Sequence, residues 1–146
     1  MPWNIIRISD VAQRSQFQVT LNPRKSAIEF SIADFQGKLQ TLVFRKAEIF
    51  DKEWHKMHFG VHRERVVLYI DCELNEELPL DVRGPIDVNG EIAISKLAGS
   101  RKTVPIELQW MVMSCDPNRP ERETCEELPV INPNLQMRNS QSPSMY

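Results

Sequence analysis

Glycine is scarce, with five residues against ten prolines in 146 positions. A collagen triple helix needs glycine at every third position, so none forms within this chain. Long apolar runs are missing, and nothing approaches the ~18 residues of a membrane-crossing helix. The amino end shows no basic-then-apolar leader, because Met1-Pro2-Trp3-Asn4 opens directly into strand-like sequence. Positive charge is not in excess: 18 Lys+Arg stand against 20 Asp+Glu, a net charge of −2. That balance argues against nucleic acid as the main partner. There is no Gly-x-Ser-x-Gly and no glycine-rich phosphate loop. Cysteine is sparse and odd in number, at 72, 115 and 125. An odd count leaves open a reducing compartment, a free thiol, an intermolecular bond or a missing partner.

What is present is ordinary for a globular domain: 41% apolar and 26% charged residues. Period-two patterning dominates. In 16–21, Phe17, Val19 and Leu21 alternate with polar residues, and in 26–32 Ile28, Phe30 and Ile32 share a face. Residues 39–44 read as a third strand, and 47–51 as a single helical turn. Residues 54–62 and 65–72 read as a long hairpin turning at Arg63-Glu64, with Met57, Phe59 and Val61 facing one way. Asn89-Gly90 signals a tight turn before a strand at 91–97, and 106–113 reads as a further strand. Eight or nine short strands without a convincing helix predict an all-β sandwich. Prolines accumulate from Asp116 onward, and 132–146 is rich in Asn, Ser and Gln. The expected organisation is therefore one domain over 1–130 and a disordered tail or linker over 131–146.

His55, His58 and His62 suggest a metal cluster only if the segment is helical. On a strand, His58 and His62 lie roughly 13 Å apart, too far for one ion. Lys56, His58 and His62 instead share the face opposite the apolar stripe, joined by Arg65 and Tyr69 of the paired strand. Arg45 and Lys46 precede the hairpin and Arg63 sits at its turn. Residues 45–65 hold six Lys/Arg and four Asp/Glu, a net +2, whereas 71–93 hold one Arg and seven Asp/Glu, a net −6. Such a patch suits the sulfates or carboxylates of a polyanion, and an ordinary solvated sheet face explains it equally well. The acidic residues, with Glu73, Glu76 and Glu77 falling in an expected turn region, show no pair spaced for general acid–base work, so no enzyme is expected. Asp87-Val88-Asn89 before Gly90 offers oxygens to a hard cation, though turn chemistry accounts for the pattern.

Several motifs in order carry a family resemblance: Tyr69-Ile70-Asp71-Cys72, Arg83-Gly84-Pro85-Ile86-Asp87, Pro105-Ile106-Glu107-Leu108-Gln109-Trp110, Cys115-Asp116-Pro117 and the run Arg119 to Pro129. Phe50-Asp51-x-x-Trp54-His55-Lys56 matches the family's Trp-His-Lys strand entry. The chain resembles the thrombospondin N-terminal-like, laminin G-related domain of the fibril-associated collagens, most of all that of the type IX α1 chain. The resemblance runs from about Trp3 to Pro129.

The resemblance implies a concanavalin-like, laminin G-like jelly-roll sandwich of antiparallel strands, incomplete at its amino end relative to the family. It implies a secreted, non-enzymatic module of the extracellular matrix. Its partners would be heparan sulfate or heparin-like glycans, other matrix proteins and collagen fibrils. The expected glycan contacts are Lys56, His58, His62, Arg63 and Arg65, with Arg45, Lys46, Arg101 and Lys102 in support. A collagen head that only binds proteins is the alternative, and a glycan-processing jelly roll the remote one. The resemblance pairs Cys72 with Cys125 and leaves Cys115 unpaired, its family partner being absent here. It also maps a metal site onto Asp87, Asn89 and Glu126. Asn and Glu there replace the family's Asp and His, which disfavours zinc and leaves weak calcium binding.

Overall fold

A computed structural model describes residues 1–126 and 128 of the chain. Eight strands form two antiparallel sheets: β1 (Trp3–Ser9), β2 (Ser15–Asn22), β3 (Ala27–Ala33), β4 (Leu39–Phe44), β5 (Met57–Val61), β6 (Arg65–Ile70), β7 (Glu73–Pro79) and β8 (Ile92–Leu97). The first sheet has the order β4-β3-β2-β1-β8 and the second β5-β6-β7. A single helical turn, α1 (Arg119–Arg122), follows. The all-β sandwich read from the alternation is the observed architecture.

Alternation explains which side chains meet. Phe17, Val19 and Leu21 of β2 stand opposite Ile8, Ile6 and Trp3 of β1, and opposite Ile32, Phe30 and Ile28 of β3. All of these but Phe17 belong to one buried core cluster together with Met57, Val66 and Leu68 of the second sheet, and the half-buried Phe17 packs against it. Phe59 bridges the layers, its ring 5.3 Å from that of Phe30 and 5.8 Å from that of Phe44. Burying each such ring removes enough apolar surface to contribute roughly 2–3 kcal/mol.

The β1–β2 register slips at Ile5, between Asn4 and Ile6. The bulge lets Ile5 and Ile6 both be buried while Asn4 and Arg7 stay on the outer face. On the other side of β1, β8 keeps step because Ser95, level with Ile5, takes a left-handed conformation with φ 52°. Its hydroxyl donates to Val104 O, and Val104 N–H donates back to Ser95 O.

Three expectations fail. Residues 47–51 form no helical turn; Ala47 and Ile49 are buried in the core instead. The acidic stretch expected as a turn region is β7, an edge strand pairing Val66 with Leu78 and Val67 with Glu77. Its charges suit a sheet edge, where an apolar strand would invite pairing with another chain. Residues 106–113 are not a strand. They cross the open side of the sandwich after the Lys96–Thr103 bridge, with Trp110 and Met111 against a cavity of about 210 Å³ that Ile6, Phe17 and Phe59 also line. The tail expected over 131–146 lies outside the described residues.

Candidate functional site

The β5–β6 hairpin was the expected basic face. It turns at Arg63-Glu64, where His62 N–H donates to Arg65 O at 2.9 Å. Met57, Phe59 and Val61 pair with Ile70, Leu68 and Val66 on the core side. Lys56 and His58 point the other way, as period two requires, but that side is covered. The segment after residue 110 folds back over β5. A Cβ added to Gly60 would stand 2.6 Å from Pro117 O, so only glycine allows this close approach.

Lys56 is therefore 2% exposed rather than solvated. Its ammonium donates to Glu123 Oε2 at 3.4 Å and to Thr124 O, and sits 5.7 Å from the Trp110 ring centroid. Arg119 Nε donates to the other oxygen of Glu123 at 3.0 Å. The bond to Arg119 and, after it, the contacts with Lys56 outweigh burial and hold the Glu123 carboxyl below its usual range. His58 lines the cavity with Trp110, Asp116 and Glu123. These two residues are corrected as glycan contacts: they serve the covering segment, because alternation names a face and not what lies over it.

The remaining cations fall into separate places. His62 and Arg63 form the hairpin tip, where Arg83 Nη1 donates to both of their carbonyls at 3.4 Å. Arg65 follows, exposed but paired with Glu77 at 3.1 Å. Arg45 and Lys46 are exposed beyond β4, where Asn75 Nδ2 donates to Lys46 O at 2.9 Å. Asn75 precedes Pro79, the partner of Arg65, by four residues, so Lys46 sits roughly 13 Å along β7 from the tip. Arg83 was absent from the expected set, since its own neighbourhood is acidic in sequence.

Cys72 and Cys125 are bonded, with Cα atoms 6.0 Å apart, and Cys115 is free and exposed. Asp87 Oδ1 accepts the Asn89 N–H at 3.0 Å, an ordinary turn bond, while Gln16 Oε1 accepts the Asp87 N–H at 3.2 Å. Glu126 follows the disulfide at the β6–β7 corner and is exposed. Among the described residues no group of three or more His, Cys, Asp or Glu side chains is placed to hold a metal ion.

His55 emerges as an electrostatic centre. It is 6% exposed, donating from Nδ1 to Asp71 Oδ2 at 2.8 Å and from Nε2 to Asp51 Oδ1 at 2.6 Å. Asp71 Oδ1 accepts the Lys56 N–H at 2.9 Å. Burial alone would lower the imidazole pKa, but the bonds to Asp71 and Asp51 overcome it and raise the value from 6.5 to about 9. His55 is an imidazolium at neutral pH.

No protein-family model matches the chain. Among curated proteins, it is 32% identical over 133 residues to the human collagen alpha-1(XXI) chain, covering 89% of this chain and 14% of that one. It is 28% identical over 129 residues to human collagen alpha-1(XIX), covering 86% of this chain and 11% of that one. For human collagen alpha-1(XVI) the identity is 25% over 126 residues, 86% of this chain and 8% of that one. The chain thus spans a small part of each relative's length. It is a homologue of the fibril-associated collagens over most of its own length, and its β-sandwich is consistent with their thrombospondin N-terminal-like domain.

Proposed function

We propose that the chain is a non-enzymatic interaction module of the extracellular matrix, secreted as part of a fibril-associated collagen, and that it binds heparin-like glycans through the hairpin tip. Homology to collagen chains supports the matrix role. The observation that carries the glycan reading is the tip itself. Arg63 is exposed beside the Arg83 guanidinium and has no carboxylate partner among the described residues, and Arg45 and Lys46 are likewise unpaired. Sulfates would replace water at these groups through charge-assisted bonds, screened by salt.

A heparin column tests this. The folded chain is expected to be retained at low ionic strength, and an Arg45→Ala/Lys46→Ala/Arg63→Ala variant to elute at lower salt. Passage of the unsubstituted chain in the void, or equal retention of the variant, overturns the reading. The apolar groups exposed on the covering segment, with Val112 50% and Met113 66% exposed, favour a second reading as a protein-binding head. Capture of matrix protein without heparin affinity would select it.

A further inference from the structure

The outer face of the five-stranded sheet carries a polar hollow of about 740 Å³, well away in the chain from the hairpin tip. Strand register sets out its floor. Lys96, Asn4, Thr20 and Glu29 stand in one row across β8, β1, β2 and β3. Ala93, Arg7, Gln18 and Ser31 make the next row. With neighbouring strands about 4.8 Å apart, the first row runs about 14 Å from an ammonium to a carboxylate. Ala93, having almost no side chain, opens the second row.

Two observations say the hollow is built to take a ligand. Its cations are fixed in place yet lack counter-ions. Arg7 Nε donates to Ser15 Oγ at 2.6 Å and its Nη2 to Gln13 O at 2.7 Å. Gln13 adopts φ 64°, which accompanies this bond. Lys96 Nζ donates to Thr103 Oγ1 at 2.7 Å. Neither Arg7 nor Lys96 meets a carboxylate among the described residues. Secondly, Asn4 is only 6% exposed, and while its Oδ1 accepts the Thr20 hydroxyl at 2.6 Å, its Nδ2 donates to no described residue. An amide whose donor opens onto a hollow is the kind of group on which a ligand oxygen can replace water.

We propose that this hollow binds a non-sulfated, uronic-acid-containing oligosaccharide. One of its carboxylates lies on Arg7 and another on Lys96, which stand three residues apart along the sheet, and its hydroxyls lie on Asn4, Gln18 and Glu29. Arg7, Lys96 and Arg101 face Glu29 and Glu91, a net +1, so the hollow suits a ligand with scattered carboxylates among many hydroxyls. A densely sulfated chain would meet both acids. An extended peptide is disfavoured because β1 and β2 are central strands, whose backbone groups are already paired on both sides. This site and its ligand class are independent of the heparin reading of the hairpin tip.

Calorimetric titration of the folded, disulfide-bonded chain with an unsulfated glucuronate-containing octasaccharide is the test. Binding is expected, and Arg7→Gln/Lys96→Gln should weaken it about tenfold or more while Arg63→Gln leaves it unchanged. Because Arg7 also tethers its own loop, Lys96→Gln alone provides the check if the double variant does not fold. Absence of heat with the unsubstituted chain, or equal affinity in Lys96→Gln, overturns the proposal. So does equal binding of the carboxyl-reduced sugar. Preferential binding of a polyglutamate peptide to the same residues overturns it in favour of an acidic protein segment. Heparin retention of the Arg7→Gln/Lys96→Gln and Lys96→Gln variants should not move, which separates failure of this site from failure of the hairpin reading.

Discussion

His55 shows how one side chain can tie several segments together. Its two ring nitrogens hold Asp51 from the loop after β4 and Asp71 from the β6–β7 turn, and Asp71 in turn holds the Lys56 backbone. The folded state raises the imidazole pKa from 6.5 to about 9, so the folded protein binds this proton more tightly than the unfolded chain. The stabilisation is fully present below pH 6.5 and is lost as pH rises to about 9. The full difference is about 3 kcal/mol, since each pKa unit is worth about 1.4 kcal/mol. Asp51 works in the opposite direction. Burial would raise its pKa, but the His55 bond and the Glu53 N–H hold it below 3.8, so its contribution disappears as pH falls into the acid range. Urea unfolding at pH 6 and pH 9.5 should show stability lower at the higher pH by up to this amount. His55→Gln should be less stable at pH 6 and should flatten the slope between the two. An unaltered slope in His55→Gln would assign the pH dependence elsewhere.

At the scale of the element, the β6–β7 turn is unusual in its residues. Asp71 and Cys72 form a two-residue connection with φ of 53° and 65°, the geometry that Asn-Gly normally supplies. Asp tolerates a left-handed backbone; cysteine gains nothing from it, and the cost is roughly 1–2 kcal/mol. The bond to Cys125 and the Asp71–His55 and Asp71–Lys56 contacts hold the turn in place. Closing a loop of 53 positions contributes about 4 kcal/mol by chain entropy. Cys72→Ser/Cys125→Ser should therefore lose about that much in denaturant unfolding. Cys72→Gly/Cys125→Ser should recover about 1 kcal/mol of it, because glycine accepts the positive φ. Equal stability of the two variants would show that the turn relaxes once the bond is gone. Legibility divides along the same line. β2 and β3 could be read because apolar and polar residues alternate cleanly along them. β7 could not, because Glu73, Glu76 and Glu77 belong to an edge strand whose turn carries no glycine. Residues 106–113 alternate as a strand does and yet pair with nothing regular, since alternation records burial and not a hydrogen-bonded neighbour.

At the scale of the whole fold, the described residues form an unequal sandwich, five strands against three, and the difference is made up by a covering segment. Residues 105–109 and 111–114 make no backbone–backbone hydrogen bond among the described residues, so side chains and covalent links must hold this stretch down. Lys56 reaches Trp110 at one end of the covering region and Glu123 and Thr124 at the other, and the disulfide follows at Cys125. This explains why the candidate site was only partly readable. Period two placed Lys56 opposite Met57 correctly. What arrives from more than fifty residues away to bury it left no local mark. Arg63, at a turn, had no such cover to acquire and is exposed as expected. Lys56→Met keeps the length of the side chain and removes its charge, leaving Glu123 to Arg119 alone. Glu123 is partly exposed and stays bonded to Arg119, so the loss should be about 1–2 kcal/mol. Hydrogen exchange locates the effect. In the unsubstituted chain, 105–109 and 111–114 should exchange fast while β1, β2 and β3 exchange only through global opening. In Lys56→Met, protection should fall in β5 and in 119–123, with β1–β3 still the slowest strands. Uniform loss across all strands, without a step at β5, would mean that Lys56 supports the core as a whole and does not clamp the segment.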